Sequence, residues 1–370
     1  MHQIRSIHYL RGIAALLVVG FHIRGGLNNV YPIKNFGDML FISGSFGVDL
    51  FFMISGFIIT LSTAKVETAM IRKYVIKRFL RIYPLFILTL LFLYFFIETD
   101  HTYSFFRSAL LIRADYAQAA PFFGYNMLGQ AWTLTYEIYF YLIFMIAMAI
   151  SHKYRAYLSA VFLIIPGIAI QLAFNGTVGF EGSSAAVFKT DLPTALAAFL
   201  RFISSPMLLE FVFGMMIYEA RHIIKHIPKT NVLAILACSL VFCFYISQYR
   251  AEHGPFNFGL WGIMLVFTLI AYEMKNLLPQ IKPLQFLGDI SYSLYLTHIA
   301  VIMFMYKFGS SIPVFNQWVG VAPVLFQFIV VLTASYIIYN VIEKPSMKLA
   351  RKLCHERFTK ESPTAQSVAV

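Results

Sequence analysis

The sequence predicts an all-α integral membrane protein, and three observations carry that prediction. Hydrophobic residues make up 59% of the 370 residues and charged residues only 12%, against about 45–50% and about 25% in soluble globular chains. The mean hydropathy is +0.72, too much apolar sequence for one soluble core to bury. Apolar runs recur at the length of about 20 residues that a helix needs to cross about 30 Å of hydrocarbon. Phe (38) and Tyr (22) are abundant, as expected where helices meet lipid and headgroups.

About ten transmembrane helices are predicted, near residues 5–23, 42–62, 80–97, 132–150, 156–174, 203–220, 231–248, 257–274, 289–306 and 320–342. The start of the first resembles a signal peptide, with Gly12–Phe21 apolar after Arg5 and Arg11. No small-residue cleavage site follows, because the chain continues His22-Ile23-Arg24; the segment reads as an uncleaved span. Spans one, two, four, six and nine carry internal polar residues. Spans three, seven and eight read as almost pure lipid-facing sequence.

With the N-terminus and the C-terminus cytoplasmic, 20 of the 29 Lys and Arg fall on the inner side, eight fall outside, and Arg11 lies within the first span. That asymmetry is the positive-inside pattern. The net charge of +12 is then mainly topological and calls for no nucleic acid. The two longest external loops, about 98–131 and 175–202, hold Gly, Pro and aromatics; Ala117–Gly129 and Thr177–Ser184 read as surface segments that cover a site. No internal repeat is evident, so the inverted symmetry of many transporters is not seen. Residues 1–345 form one membrane domain, and 346–370 a cytoplasmic basic, then polar tail expected to lack fixed structure. Cys238 and Cys243 lie in an apolar run and Cys354 in the tail. They lack metal-ligand spacing and are odd in number, so all three read as inert small apolar residues, and no metal site is expected.

An ionisable side chain at the centre of a span is unfavourable by about 2.5–3.5 kcal/mol and is a candidate for function. Arg11 and His22 are eleven residues apart, just over three turns, so they share a face about 16 Å apart along the axis. Either Arg11 snorkels inward and His22 sits at the outer interface, or the two form an inward-facing stripe with a proton-accepting His. Asp49 opens the second span at the depth of His22. It reads as a helix-entry residue bonding free amides, or as the carboxylate that holds His22 in one tautomer. Arg78 and Arg81 share a helix face at the inner mouth of span three, as inner-side anchors or as a pair of guanidinium forks for phosphate. Trp132 suits an interface anchor, but Glu137, one turn deeper, is not explained that way, and its depth again matches His22. Glu210 falls near the middle of span six, as a functional group or as a clamp between helices. Ser291, Tyr292, Tyr295 and His298 form a polar ladder along span nine, and Glu343 ends the last span.

These motifs together resemble the acyltransferase family 3 membrane O-acyltransferases, the bacterial inner-membrane enzymes that acylate O-antigen, exopolysaccharide and Nod-factor sugars. The resemblance covers about residues 1–345. It rests on Arg11-x10-His22, the stretch from Asp49 to Ser55-Gly56-Phe57, Arg78-x-x-Arg81-x-x-Pro84, Trp132-x-Leu134-x-x-Glu137, Glu210-x-x-x-Gly214, the Ser291–His298 run, and Glu343-Lys344-Pro345. Some members carry an extra esterase-like domain, which this chain lacks, so it looks like a stand-alone member.

The resemblance implies that acetyl-CoA, or another acyl-CoA, binds from the cytoplasm as co-substrate, with no permanently bound cofactor. Its phosphates would lie near Arg78 and Arg81, with Arg11, Ser291, Tyr292, Tyr295 and His298 along the donor path. A glycan acceptor, free or lipid-linked, would enter from the periplasmic side. His22 is then the expected general base, because its ordinary pKa lies near the working pH, and Asp49 or Glu137 would orient it. An acyl-enzyme route is the alternative; no Ser or Cys sits beside His22 in sequence, which favours direct transfer. Trp132, Glu210 and Glu343 are read as acceptor-side or structural. Two other functions fit the composition: a proton-coupled transporter using Asp49, Glu137 and Glu210 as a relay, and a scaffold for glycan assembly.

Overall fold

The computed structural model of the chain describes residues 4–97, 105–112, 116, 118–188, 194–312 and 319–359. Residues 98–104, 113–115, 117 and 189–193 of the expected external loops, and residues 360–370 of the expected tail, lie outside them. The principal helices are α1 (Arg5–Ile23), α2 (Phe46–Ser62), α3 (Met70–Phe96), α4 (Trp132–Ile150), α5 (Arg155–Asn175), α6 (Leu208–Glu219), α7 (Thr230–Ser247), α8 (Phe258–Glu273), α9 (Lys282–Phe308), α10 (Val321–Ile338) and α11 (Lys344–Thr359). Among the described residues nine helical stretches are long and apolar enough to cross a membrane. The protein is an all-helical, multi-span membrane protein. The segment expected as the eighth span is the 16-residue helix α8. At 1.5 Å per residue it reaches about 24 Å, short of a hydrocarbon core of about 30 Å.

Small residues decide which helices touch. A Cβ on Gly214 of α6 would meet the Met53 carbonyl at 1.8 Å, and one on Gly56 of α2 the Phe211 carbonyl at 2.1 Å. Gly12 of α1 and Gly288 of α9 stand in the same relation to each other's helix, each with backbone or side-chain atoms within 2.7 Å of an added Cβ. Close backbone approach of this kind drives helix association where lipid offers no hydrophobic gain. The helices α1, α2, α6 and α9 therefore form the inside of the bundle. Glu273, at the end of α8, fastens α1 by accepting from Arg5 N at 2.7 Å, Ser6 N at 2.8 Å and Ser6 Oγ at 2.5 Å. These satisfy donors that a helix start leaves open.

Several boundaries differ from expectation. α3 starts at Met70, ten residues early, because the basic run through Arg81 is made of good helix formers. The sixth span is broken, with a helix over Thr194–Ile203 and then α6. Pro206 lacks an amide donor and stops the first segment, and Gln171 donates to the freed Ser204 carbonyl at 2.8 Å, as burial in a membrane requires. The last span ends in a π-turn over Tyr339–Glu343 that leads into α11. The tail expected to lack fixed structure is thus helical as far as Thr359.

Of the three spans read as lipid-facing, α7 exposes Ile235, Leu236, Leu240 and Phe242. α3 buries one face and exposes the other. α8 is not purely lipid-facing: Phe258, Trp261, Leu265, Val266 and Ile270 are buried in a core cluster with α1 and α2. Uniform apolarity does not distinguish lipid from protein as a neighbour. Cys238 and Cys243 are exposed on α7, and Cys354 is buried.

Candidate active site

Two of the cavities among the described residues share one wall residue, Val48. The first has a volume of about 280 Å³ and opens among Arg11 of α1 and Arg78 and Arg81 of α3, with Ser55, Glu137 and Tyr292 opposite. Arg81 forms an ion pair with Glu343, whose other oxygen accepts from Ser293 N at 3.1 Å and Ser293 Oγ at 2.5 Å. The Arg81 guanidinium lies over the Tyr292 ring, 4.9 Å from its centroid. Arg78 donates to Ser62 Oγ at 2.9 Å, while its buried Nε has no hydrogen-bond partner among the described residues. Glu137 accepts from Ser55 Oγ at 3.0 Å and from the Tyr141 hydroxyl. Three guanidinium groups thus meet two carboxylates, Glu137 and Glu343. The excess positive charge and the unpaired Arg78 N–H suit an anion with several acceptor oxygens.

The second cavity has a volume of about 520 Å³ and is lined by His22, Trp132, Phe122, Tyr125, Glu252 and His253. His22 Nδ1 lies 2.9 Å from the Val18 carbonyl and 3.2 Å from His298 Nε2. His298 Nδ1 in turn lies 2.7 Å from the Tyr295 carbonyl. A carbonyl only accepts, so both Nδ1 atoms carry protons, and His298 Nε2 shares the His22 Nδ1–H. In the neutral ring His22 Nε2 is then the bare nitrogen, and the ring lines the cavity. A base needs that tautomer.

Val48 of α2 lines both cavities. On α4 the division falls between neighbours: Trp132 faces the His22 cavity, Thr133 and Leu134 the arginine cavity.

The predicted site residues are divided between these places. Arg11, Arg78, Arg81, Glu137, Tyr292 and Tyr295 share the first cavity; His22 and Trp132 belong to the second. The expected pairing of Asp49 or Glu137 with His22 does not occur. Glu137 lies in the other cavity, and Asp49 is bonded to His253 Nδ1 at 2.6 Å and Gly254 N at 3.0 Å. Helical rise gives depth along the membrane normal, but not the direction in which a helix faces. The ladder also divides. Tyr292 and Tyr295 line the arginine cavity, Ser291 bonds the Gly288 carbonyl of its own helix at 2.9 Å, and His298 supports His22. Glu210 is fully buried beside Asp49, and Glu343 belongs with Arg81. Sequence reasoning missed His253. The one available signal was a His next to Gly254-Pro255 in a short external loop.

The Acyl_transf_3 family profile, described as an acyltransferase domain, matches residues 4–340. The chain belongs to this family. This acyltransferase-family chain is 25% identical over 325 residues to the exopolysaccharide production protein ExoZ of Rhizobium meliloti (strain 1021), covering 84% of this chain and 92% of the relative. It is 27% identical over 308 residues to the protein named "Putative acetyltransferase ORF330" of Acidianus two-tailed virus, covering 79% and 82%. No solved structure matches. Family membership supports transferase activity in the broad sense.

Proposed function

We propose that the protein is a membrane O-acyltransferase, one that transfers groups other than amino-acyl groups. It moves an acyl group, most simply acetyl, from cytoplasmic acyl-CoA to a sugar hydroxyl of a cell-surface or secreted glycan. Transfer takes place at the periplasmic face of a bacterial inner membrane. One observation carries this reading: a guanidinium-lined cavity and a histidine-lined cavity meet across Val48. An acyl donor made inside and an acceptor displayed outside need such a passage. The arginine cavity lies toward the end that holds most Lys and Arg, the cytoplasmic end under the positive-inside rule. The exopolysaccharide role in the name of the rhizobial relative agrees with a glycan acceptor.

In this reading the donor's phosphates are held by Arg78 and Arg11, with Arg81 kept in place by Glu343. The thioester reaches past Val48 toward His22. The acceptor hydroxyl oxygen attacks the thioester carbonyl carbon while His22 Nε2 takes its proton. The new C–O bond forms, the C–S bond breaks, and the leaving CoA thiolate takes up the proton held on His22. His298 keeps His22 in the required tautomer throughout.

The test compares surface glycans, by NMR and mass spectrometry, from cells lacking the gene and complemented with wild type or His22→Ala. Wild type restores base-labile acyl groups. The variant reaches the membrane in equal amount and lowers transfer by about 10²–10⁴-fold, the usual contribution of a general base. Normal acylation in that variant removes His22 from the chemistry.

A further inference from the structure

Asp49 and His253 form a polar pair that the step at His22 does not use. Asp49 is fully buried, and the His253 side chain is 14% exposed. The Asp49 carboxylate only accepts, so His253 Nδ1, at 2.6 Å, carries the proton, and in the neutral ring Nε2 is the accepting nitrogen. No protein hydrogen bond to Nε2 occurs among the described residues, and the ring lines the His22 cavity.

The ring is held from every side. Trp132, Phe122 and Phe258 pack edge-on around it, with centroids 5.5, 5.9 and 5.7 Å away. Its carbonyl accepts from Gly182 N at 2.7 Å, tying two external loops together. The next residue, Gly254, has φ +130°, and a Cβ there would meet Gly182 N at 2.7 Å; only glycine fits that conformation. Asp49 closes the arrangement by also accepting from Gly254 N at 3.0 Å. A ring fixed this firmly, lining a cavity and carrying an acceptor atom without a protein partner among the described residues, is built to receive a donor from a ligand. Trp132, Phe122 and Tyr125 add flat apolar faces to the same cavity, the mixture of aromatic wall and few placed polar groups found in small-molecule sites.

We propose that His253, positioned by Asp49, is an acceptor-binding residue: its Nε2 accepts a hydrogen bond from a hydroxyl other than the one acylated. The acceptor class that this requires is polyhydroxylated, a sugar and not a simple alcohol. The proposal rests on the acyltransferase reading and deepens it. His22 performs the proton transfer; His253 recognises a second hydroxyl.

The experiment uses the full-length protein in detergent, radiolabelled acetyl-CoA, and unacylated polysaccharide purified from a strain deleted for the gene. His253→Phe keeps a flat ring and removes the acceptor atom; His253→Gln supplies an amide oxygen in its place. Expected is a rise of about five- to tenfold in KM for polysaccharide with His253→Phe, the effect of one lost hydrogen bond. kcat and KM for acetyl-CoA stay within about twofold, and His253→Gln recovers most of the loss. An unchanged polysaccharide KM, a parallel change in both KM values, or equal loss in the two variants overturns the proposal. A second arm measures binding of tritiated polysaccharide without donor. Should wild type bind it through His253 yet transfer no acyl group, the acyltransferase reading fails and His253 stands as a glycan-binding residue. Should wild type neither bind nor transfer, both readings fall.

Discussion

The two cavities are built differently. The arginine cavity is made by side chains of α1, α2, α3, α4, α9 and α11, and polar groups there are bonded between elements, Arg81 to Glu343, Glu343 to Ser293 and Glu137 to Ser55, and within α4, Glu137 to Tyr141. The histidine cavity is made by helix ends and by loops around residues 120–125, 182–183 and 251–253. A bundle interior tolerates little change, because each polar group there must keep its partner. Loops on a fixed scaffold tolerate much more. Under the proposed function, the contrast gives one architecture a way to pair a constant donor with varied acceptors: the donor side would belong to the bundle and the acceptor side to the loops.

The largest effect expected from breaking this contrast is on stability. Arg81→Ala leaves Glu343, 2% exposed, as an unpaired buried charge, a loss of about 3–5 kcal/mol. Thermal unfolding followed by size-exclusion chromatography would show it, and Arg81→Ala combined with Glu343→Gln would recover part. Arg78→Ala is expected to cost less stability, since among the described residues its side chain makes one hydrogen bond, to Ser62, and lies over the Tyr74 and Tyr141 rings without an ion pair. It should weaken acyl-CoA binding by about 1.5–3 kcal/mol, the range for a hydrogen bond to a charged group, read by titration calorimetry with CoA. A calorimetric constant equal to wild type would remove Arg78 from the donor site.

Val48→Ala sharpens the comparison at the boundary. Two fewer methyl groups in the shared wall should shift the preference toward propionyl over acetyl by about fourfold, on the scale of about 0.8 kcal/mol for one buried methylene. Competition between the two acyl-CoA donors measures it, and an unchanged ratio would place the acyl group elsewhere. The smallest effect belongs to the outer surface. Cys238→Ser and Cys243→Ser, on the exposed face of α7, should each change stability by less than about 0.5 kcal/mol and leave transfer rates alone. A large effect from either would mean that this face packs against protein.

Much of the fold was legible because a membrane makes hydropathy a strong signal. The bounds of α1 and α4 coincide with the predicted spans, and four of the five helices read as polar inside, α1, α2, α6 and α9, form the centre of the bundle, while α4 is less deeply buried. The candidate site was legible as a list and not as an arrangement. Arg11, Arg78 and Arg81 were each visible as basic groups within or beside spans. Asp49 and Glu137 were placed at the depth of His22, yet one holds His253 and the other Ser55. α8 was misread because a helix apolar all round gives no sign of whether lipid or protein surrounds it.

What the sequence by itself determined is therefore one-dimensional: the apolar segments and their order, where along the chain the basic residues cluster, and which side chains are too polar for lipid. The tertiary structure alone decided the azimuth of each helix, and with it that His22 meets His298, that Asp49 meets His253, and that Val48 stands between two cavities. The physical reason is that hydropathy and helical rise fix position along the membrane normal. Rotation about that normal is fixed by contacts such as Gly214 on Met53 and Gly12 on Leu287, between residues far apart in the chain.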